Sequence, residues 1–469
     1  IGLGVLLLLD LLFRTLDLRA HYTDAGLLPR WGLLVESGRI SLHLAVGSVA
    51  GMAVLFALQA IIAIAFLIGY RTRVTTVLVW LLWTSLHARM PLVLNGGDAL
   101  LRLILFWAIF APMGERFSVD AIRHGKQTEQ AVTIGTVALL SQVVVMYGAN
   151  AVLKHSADVW PRGDGIPIVM TLDMFTTPLG DLLGQFPQLM TALSLGVLGL
   201  WTFSPLLLLT TGWLRAALVA LFASFHLGMF FTMHLGLFPL IVVVVLALFL
   251  PPVVWERLLP DQVEGWTPRF AHLAASDWYL TVSLENERLL ARLRRGVRYG
   301  MLTVAVVSVV FVGLWNIQTT ASATGDTDEE FVPEPLADYG RATMLAQHWN
   351  MFAPTPVRAD GWYVIPATLA NGTVIDLYRG GGTPSYSKPE DVAATYQNQR
   401  WRKYLQNLRQ QSYTDYRLYY GRYLCREYNR NHDVAVQTFN IEYVKEQTTL
   451  AGRERPVENV TLWEHDCFA

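Results

Sequence analysis

Nine apolar runs recur along the first two thirds of the chain, at roughly 1–16, 44–68, 74–90, 99–113, 131–153, 187–208, 214–231, 235–253 and 299–317. A helix needs about 20 residues to cross about 30 Å of hydrocarbon. Most of these runs are near that length, so the pattern predicts a polytopic α-helical membrane bundle of about nine transmembrane helices. The third and fourth runs are short and carry polar positions, which suits tilted or partly re-entrant segments. Composition agrees: 53% of residues are hydrophobic and 16% charged, against roughly 25% charged in soluble domains. This excludes a disordered chain, a coiled coil and a nucleic-acid binder. A net charge of −1 suggests no polyanionic partner. The chain begins at Ile1 inside an apolar run, so further residues are expected to precede it.

Loop cations predict the orientation. Arg71 and Arg73, then Arg116, Arg123 and Lys126, then Arg257, Arg269, Arg288, Arg292, Arg294, Arg295 and Arg298 fall on one side of nine alternating helices. That side is expected to be cytoplasmic, with the N-terminus. Asp158, Asp164, Asp173 and Asp181 fall opposite. Two domains are expected: a transmembrane domain over 1–317 and an extracytoplasmic α+β domain over 318–469, where apolar runs give way to Tyr, Asn, Gln and Arg. Segments 361–368 and 373–378, joined across Asn371-Gly372, read as a hairpin. Segment 396–410 reads as an amphipathic helix, 434–446 as a strand and 320–330 as a polar linker. Cys425 and Cys467 both fall in this domain, where an oxidising compartment permits a disulfide.

Ionisable groups are costly inside a bilayer and therefore informative. Asp10, Arg14 and Asp17 share one helical face, as an ion-pair stripe or as the polar floor of a cavity. His87, Arg89, Asn95, Gly96, Gly97 and Asp98 cluster at the start of the fourth run, as a capped loop or a ligand-approach site. Lys154 ends the fifth run, and only Lys126 shares its residue type before position 388. Unlike arginine, a desolvated lysine can lose its proton. It is either a snorkelling interfacial cation or a base. His226 and His234 lack a third ligand at metal spacing, so no metal is expected.

Phe13-Arg14, Asp17, His21-Tyr22, Asp24 and Pro29-Arg30, then Gly69-Tyr70-Arg71, Asn95 to Asp98 and Phe117-Ser118-Val119-Asp120 form an ordered series of short motifs. Tyr147, Lys154 before Trp160, Phe225-His226 with Gly236 and Phe238, Trp349 to Pro354, Asp360-Gly361-Trp362 and Trp401-Arg402 continue it. In these motifs the chain resembles the HTTM family of membrane proteins, which includes the vitamin K-dependent gamma-carboxylase. The resemblance implies that a neutral lysine deprotonates a hydroquinone of the vitamin K or menaquinone type. Oxygen then adds, and a strongly basic oxygenated species removes a γ-proton from peptide glutamate, whose carbanion captures carbon dioxide.

Lys154 matches the position of that lysine. His226 and Asn95 are expected to orient the quinol or its oxygen adduct, and Arg14 and Asp98 to give polar contacts. Trp107, Tyr147 and Phe225 are expected to hold the ring and its isoprenoid tail. The carboxylase has a functional histidine where Gly97 stands here, so either Asp98 or His87 substitutes or the full reaction is not performed. The expected partners are membrane lipids, a quinone and a secreted or lumenal peptide. The alternative is a non-catalytic lipid- or quinone-binding protein that matures or exports a secreted peptide. A transporter is disfavoured, because the polar residues gather near the span ends rather than at the midplane.

Overall fold

The structure is a computed structural model that describes residues 1–37, 41–124, 132–258, 287–327, 329–450 and 455–468. Of the cations that bear on orientation, Lys126 and Arg269 lie outside the described residues, as do the side chains of Arg288 and Arg294. Among the described residues, four helices are long and apolar enough to cross a membrane: Val49–Leu67, Ile134–His155, Gly212–Thr232 and the Arg295–Thr324 part of helix Glu287–Thr324. Two bent pairs, Pro178–Gly184 with Pro187–Thr202 and Phe238–Phe249 with Pro252–Leu258, raise that number to six if each is one span. Both breaks fall at a proline, which lacks the amide that would continue the helix. Val54, Leu58, Ile61 and Ile64 are exposed on helix Val49–Leu67, a surface stable only against lipid. The chain is an integral membrane protein.

The other apolar runs fold for a different reason. The first is a 15-residue helix, Gly2–Leu16, and the fourth a 13-residue helix, Gly96–Ala108. The second of these sits among helices Thr72–Arg89, Ile134–His155 and Phe238–Leu246 with nearly every side chain buried. A helix wrapped by protein need not match the bilayer thickness. It opens in a capping box: the Asn95 side chain accepts from the Gly97 and Asp98 amides, and the Asp98 side chain accepts from the Asn95 amide. The polar linker expected over 320–330 begins later than its composition suggests, because helix Glu287–Thr324 runs through 320–324. There the Thr319 and Thr324 hydroxyls turn back to the Trp315 and Ala321 carbonyls.

The C-terminal part is a small sheet domain. Strands β1 (Ala359–Val364), β2 (Pro366–Leu369), β3 (Val374–Asp376), β4 (Val436–Gln447) and β5 (Val457–Asp466) form one antiparallel sheet. The long β4 pairs with β1, β2 and β5. The hairpin expected across Asn371-Gly372 joins β2 to β3, with Gly372 at φ +82°. Residues 361–364 belong instead to β1, which pairs with β4. Helix Gln399–Leu408 occupies the predicted amphipathic segment. Helix Tyr416–Asn431 is tied to the chain end by a disulfide between Cys425 and Cys467.

The domain is fastened to one end of the bundle through buried polar contacts. The Asn150 amide donates to the Trp349 carbonyl (2.6 Å), and Arg402 donates to the carbonyls of Met174 (2.8 Å) and His234 (2.5 Å). The loops 68–72 and 114–120 meet one another, with Asp120 accepting from the Arg71 amide and Arg123 over the Tyr70 ring.

Asp360 accepts from the Met174 and Gly361 amides. Burial pushes its carboxyl up from 3.8 to about 6. A raised acid favours the fold while protonated, so this contribution is complete below pH 3.8 and is lost as pH rises through about 6. The difference corresponds to about 3 kcal/mol. Unfolding of the wild type and Asp360→Asn in detergent, compared at pH 4 and pH 7, should show the wild type losing ground to the variant by about that amount. A pH-independent difference would refute it.

Candidate functional site

A cavity of about 770 Å³ lies between the bundle and the sheet domain. Its bundle wall is apolar and aromatic. The Tyr147 ring meets Trp201 at 4.8 Å and Phe222 at 4.7 Å, and Trp201 lies parallel to the His226 ring at 5.8 Å. Phe225 and Phe238 extend this wall. His226 donates from Nδ1 to the Phe222 carbonyl (2.8 Å), which leaves Nε2 as the acceptor nitrogen. The Tyr147 hydroxyl is buried without a hydrogen-bond partner among the described residues.

Lys154 lines the same cavity from the last turn of helix Ile134–His155. Its side chain is only 3% exposed. The Nζ lies 3.3 Å from the Met351 carbonyl and 3.5 Å from the Trp160 ring centre. Both contacts receive a positive charge, and neither is a counter-ion. The indole of Trp160 is held in turn by the Phe352 carbonyl (3.0 Å).

The sheet domain supplies the polar wall. Gln399, Arg402, Lys403, Gln406, Asn407 and Gln410 line the cavity from one face of helix Gln399–Leu408 and the turn after it. Burial, and then the neighbouring Arg402 and Arg409 guanidiniums, lower the Lys403 amine below its ordinary range. Burial also lowers Arg402 to about 10. No aspartate or glutamate is among the described residues that line the cavity. The cavity is therefore greasy at one side, amide-rich and cationic at the other.

The structure brings Lys154, Asn95, Tyr147, Phe225 and His226 to this one cavity. It places Arg14, Asp98 and Trp107 elsewhere. Trp107 packs on Phe106 and donates to Gln142 (3.2 Å) in the bundle core. Arg14 is fully buried, bonded to Asp10 (2.8 Å), the Tyr22 hydroxyl (2.7 Å) and Asp98 (2.6 Å). Arg400 from the sheet domain completes the cluster on Asp10 and Asp98. Two buried carboxylates thus face two guanidiniums, as charges in a low-dielectric interior must. His87 is spent there too, accepting from Arg14 (3.1 Å). Neither Asp98 nor His87 lines the cavity. Ligand atoms of Asp10, His87 and Asp98 lie within 4.8 Å of one another, but that cluster is already filled by the protein's own cations.

Sequence reasoning did not single out Asn150, His348 or Lys403, and placed Met351 in a motif without a site role; all four line the cavity. Helical spacing from Lys154 points to Asn150, one turn earlier. The others come from segments whose approach to the bundle has no local signature.

No curated protein and no solved structure matches the chain. Residues 41–255, which contain Lys154, Trp160, Phe225 and His226 but neither the first helix nor the sheet domain, match the HTTM domain. Over that segment the chain is similar to the HTTM domain.

Proposed function

We propose that this protein is a quinol-dependent, gamma-carboxylase-like enzyme that acts on peptide glutamate at its extracytoplasmic face. The HTTM domain occurs in the vitamin K-dependent gamma-carboxylase. The observation that carries the reading is a single cavity with Lys154 between an aromatic wall and a cationic one. The aromatic wall and the unpartnered Tyr147 hydroxyl fit a hydroxylated ring. When bound, a hydroquinone would supply the electrons that reduce O₂, giving quinone epoxide and water, and so drive replacement of a glutamate γ-C–H by a carboxylate derived from CO₂, with release of one proton.

The protein's own residues do the rest. Lys154 takes a proton at Nζ, and the Met351 carbonyl and Trp160 face receive the charge that results. His226 Nε2 and the Tyr147 hydroxyl orient the ring from the apolar side. Lys403, Arg402 and the amides beside them bind the substrate carboxylate. A water-poor cavity protects a carbanion from quenching. The basic loops 68–72 and 114–120 meet one another, and by the loop-charge rule their side is cytoplasmic. The sheet domain is then outside, where its disulfide is stable.

The test uses the detergent-purified full chain with reduced menaquinone or phylloquinone, labelled bicarbonate and a glutamate-containing peptide. Label in the peptide with quinone epoxidation is the expected result. Quinone binding without either product would support instead a non-catalytic quinone- or lipid-binding protein, the reading favoured by the lack of any histidine at Gly97. Lys403→Met should raise KM for the peptide about tenfold, as expected for one lost charge-assisted contact, with kcat changed much less. An unchanged KM would remove Lys403 from carboxylate binding.

A further inference from the structure

A second pocket, of about 530 Å³, lies apart from the cavity, between the stretch after the first helix and helix Tyr416–Asn431. Four arginines line it, Arg19, Arg422, Arg426 and Arg430, against one carboxylate, Asp24. Arg422, Arg426 and Arg430 are exposed and four residues apart, so they stand in a row on one helical face. Among the described residues, the nearby acids are already taken. Asp24 is paired with Arg30 (2.8 Å), and Glu427 with Arg19 (3.0 Å) and Arg430 (2.7 Å). Arg426 donates to the Gly26 carbonyl (2.9 Å). Arg422 has no hydrogen-bond or ion-pair partner among the described residues. Among the described residues the pocket therefore presents an excess of positive charge.

Its rim is of the opposite character. Trp31 lines the pocket and rests on Tyr419, with ring centres 5.3 Å apart. Along the same helix, Arg30–Ser37, Trp31, Leu34 and Val35 are 53%, 52% and 77% exposed. Three exposed apolar side chains beside an arginine row have no use in binding a soluble anion. They match a ligand with an anionic head and apolar tails, and a tryptophan at the edge of a bundle is a usual interfacial anchor. A soluble acidic peptide satisfies the arginines but leaves the apolar rim in water.

We propose that this pocket binds an anionic phospholipid, its headgroup phosphate on Arg19, Arg422 and Arg426 and its acyl chains along Trp31, Leu34 and Val35. The site is independent of the quinol reading and stands or falls without it. The full chain in neutral detergent is titrated with dioleoyl-phosphatidylglycerol or dioleoyl-phosphatidylcholine, and retained lipid is read by native mass spectrometry. Phosphatidylglycerol should be retained at least about tenfold more strongly. Arg422→Gln/Arg426→Gln should abolish the preference, and Arg422→Lys/Arg426→Lys should keep it. Trp31→Ala should weaken retention of the lipid. Equal retention of the two lipids overturns the proposal, and so does a glutamine variant that still prefers phosphatidylglycerol. Displacement of the lipid by millimolar inorganic phosphate or by a polyglutamate peptide would assign the pocket to a soluble anion and also overturn it. Unfolding of each variant in lipid-free detergent, expected at the wild-type temperature, separates loss of the site from loss of the fold.

Discussion

Lys154→Ala should abolish label incorporation and quinone epoxidation together, by at least about 100-fold, the usual contribution of a positioned general base. Lys154→Arg should be equally inactive. A guanidinium restores the charge beside Trp160 but stays protonated in a protein. The pair therefore distinguishes a base from a cation that merely holds the segment 349–352 in place. Substrate binding gives the second readout: peptide KM should change little in Lys154→Ala, because the proposal assigns the carboxylate contacts to Lys403 and Arg402. If Lys154→Arg keeps wild-type turnover, Lys154 is a structural cation and the proposed chemistry loses its base. The amine meets a carbonyl and an indole face but no acid, so a proton arriving there is stabilised without being trapped by a counter-ion.

Arg400→Ala should produce the largest loss of stability, about 3–5 kcal/mol, the usual cost of breaking a buried ion pair by removing one partner. The substitution leaves Asp10 and Asp98 buried with Arg14 as their remaining guanidinium. It also removes the ionic link between the sheet domain and helices Gly2–Leu16 and Gly96–Ala108. Unfolding in detergent measures the first effect, and limited proteolysis between residues 318 and 350 measures the second. Adding Asp10→Asn should recover part of the loss, since it removes one uncompensated charge. Arg162→Ala is the control. Its partner Asp158 is 78% exposed and Arg162 is 68% exposed, and exposed pairs contribute about 0–1 kcal/mol. Equal losses in the two variants would mean that burial is not what makes the Arg400 cluster strong.

The two residues taken from the sequence as polar ligand contacts, Arg14 and Asp98, illustrate where linear reasoning stops. Their spacing shows a polar helical face and a helix cap, and both are present. Nothing local reveals Arg400, some three hundred residues later than Asp98, which satisfies both carboxylates. Once it does, the pair is locked away from any ligand. Trp107 is a similar case: an aromatic in an apolar helix serves a cavity or a core equally well by pattern, and packing assigned it to the core.

The sequence by itself determined the membrane-embedded helical class, the sheet domain after the last apolar run and the singular lysine at a helix end. These are carried by run length, composition and residue type, and each is a local property that survives without knowledge of neighbours. Only the tertiary structure decided which apolar helices are wrapped by protein rather than lipid, and which ionisable groups neutralise one another. It alone shows that a helix of the C-terminal domain closes the cavity around Lys154 with amides and cations. Those are contacts between segments far apart in the chain, and the free energy of burying a charge depends on what finally stands beside it.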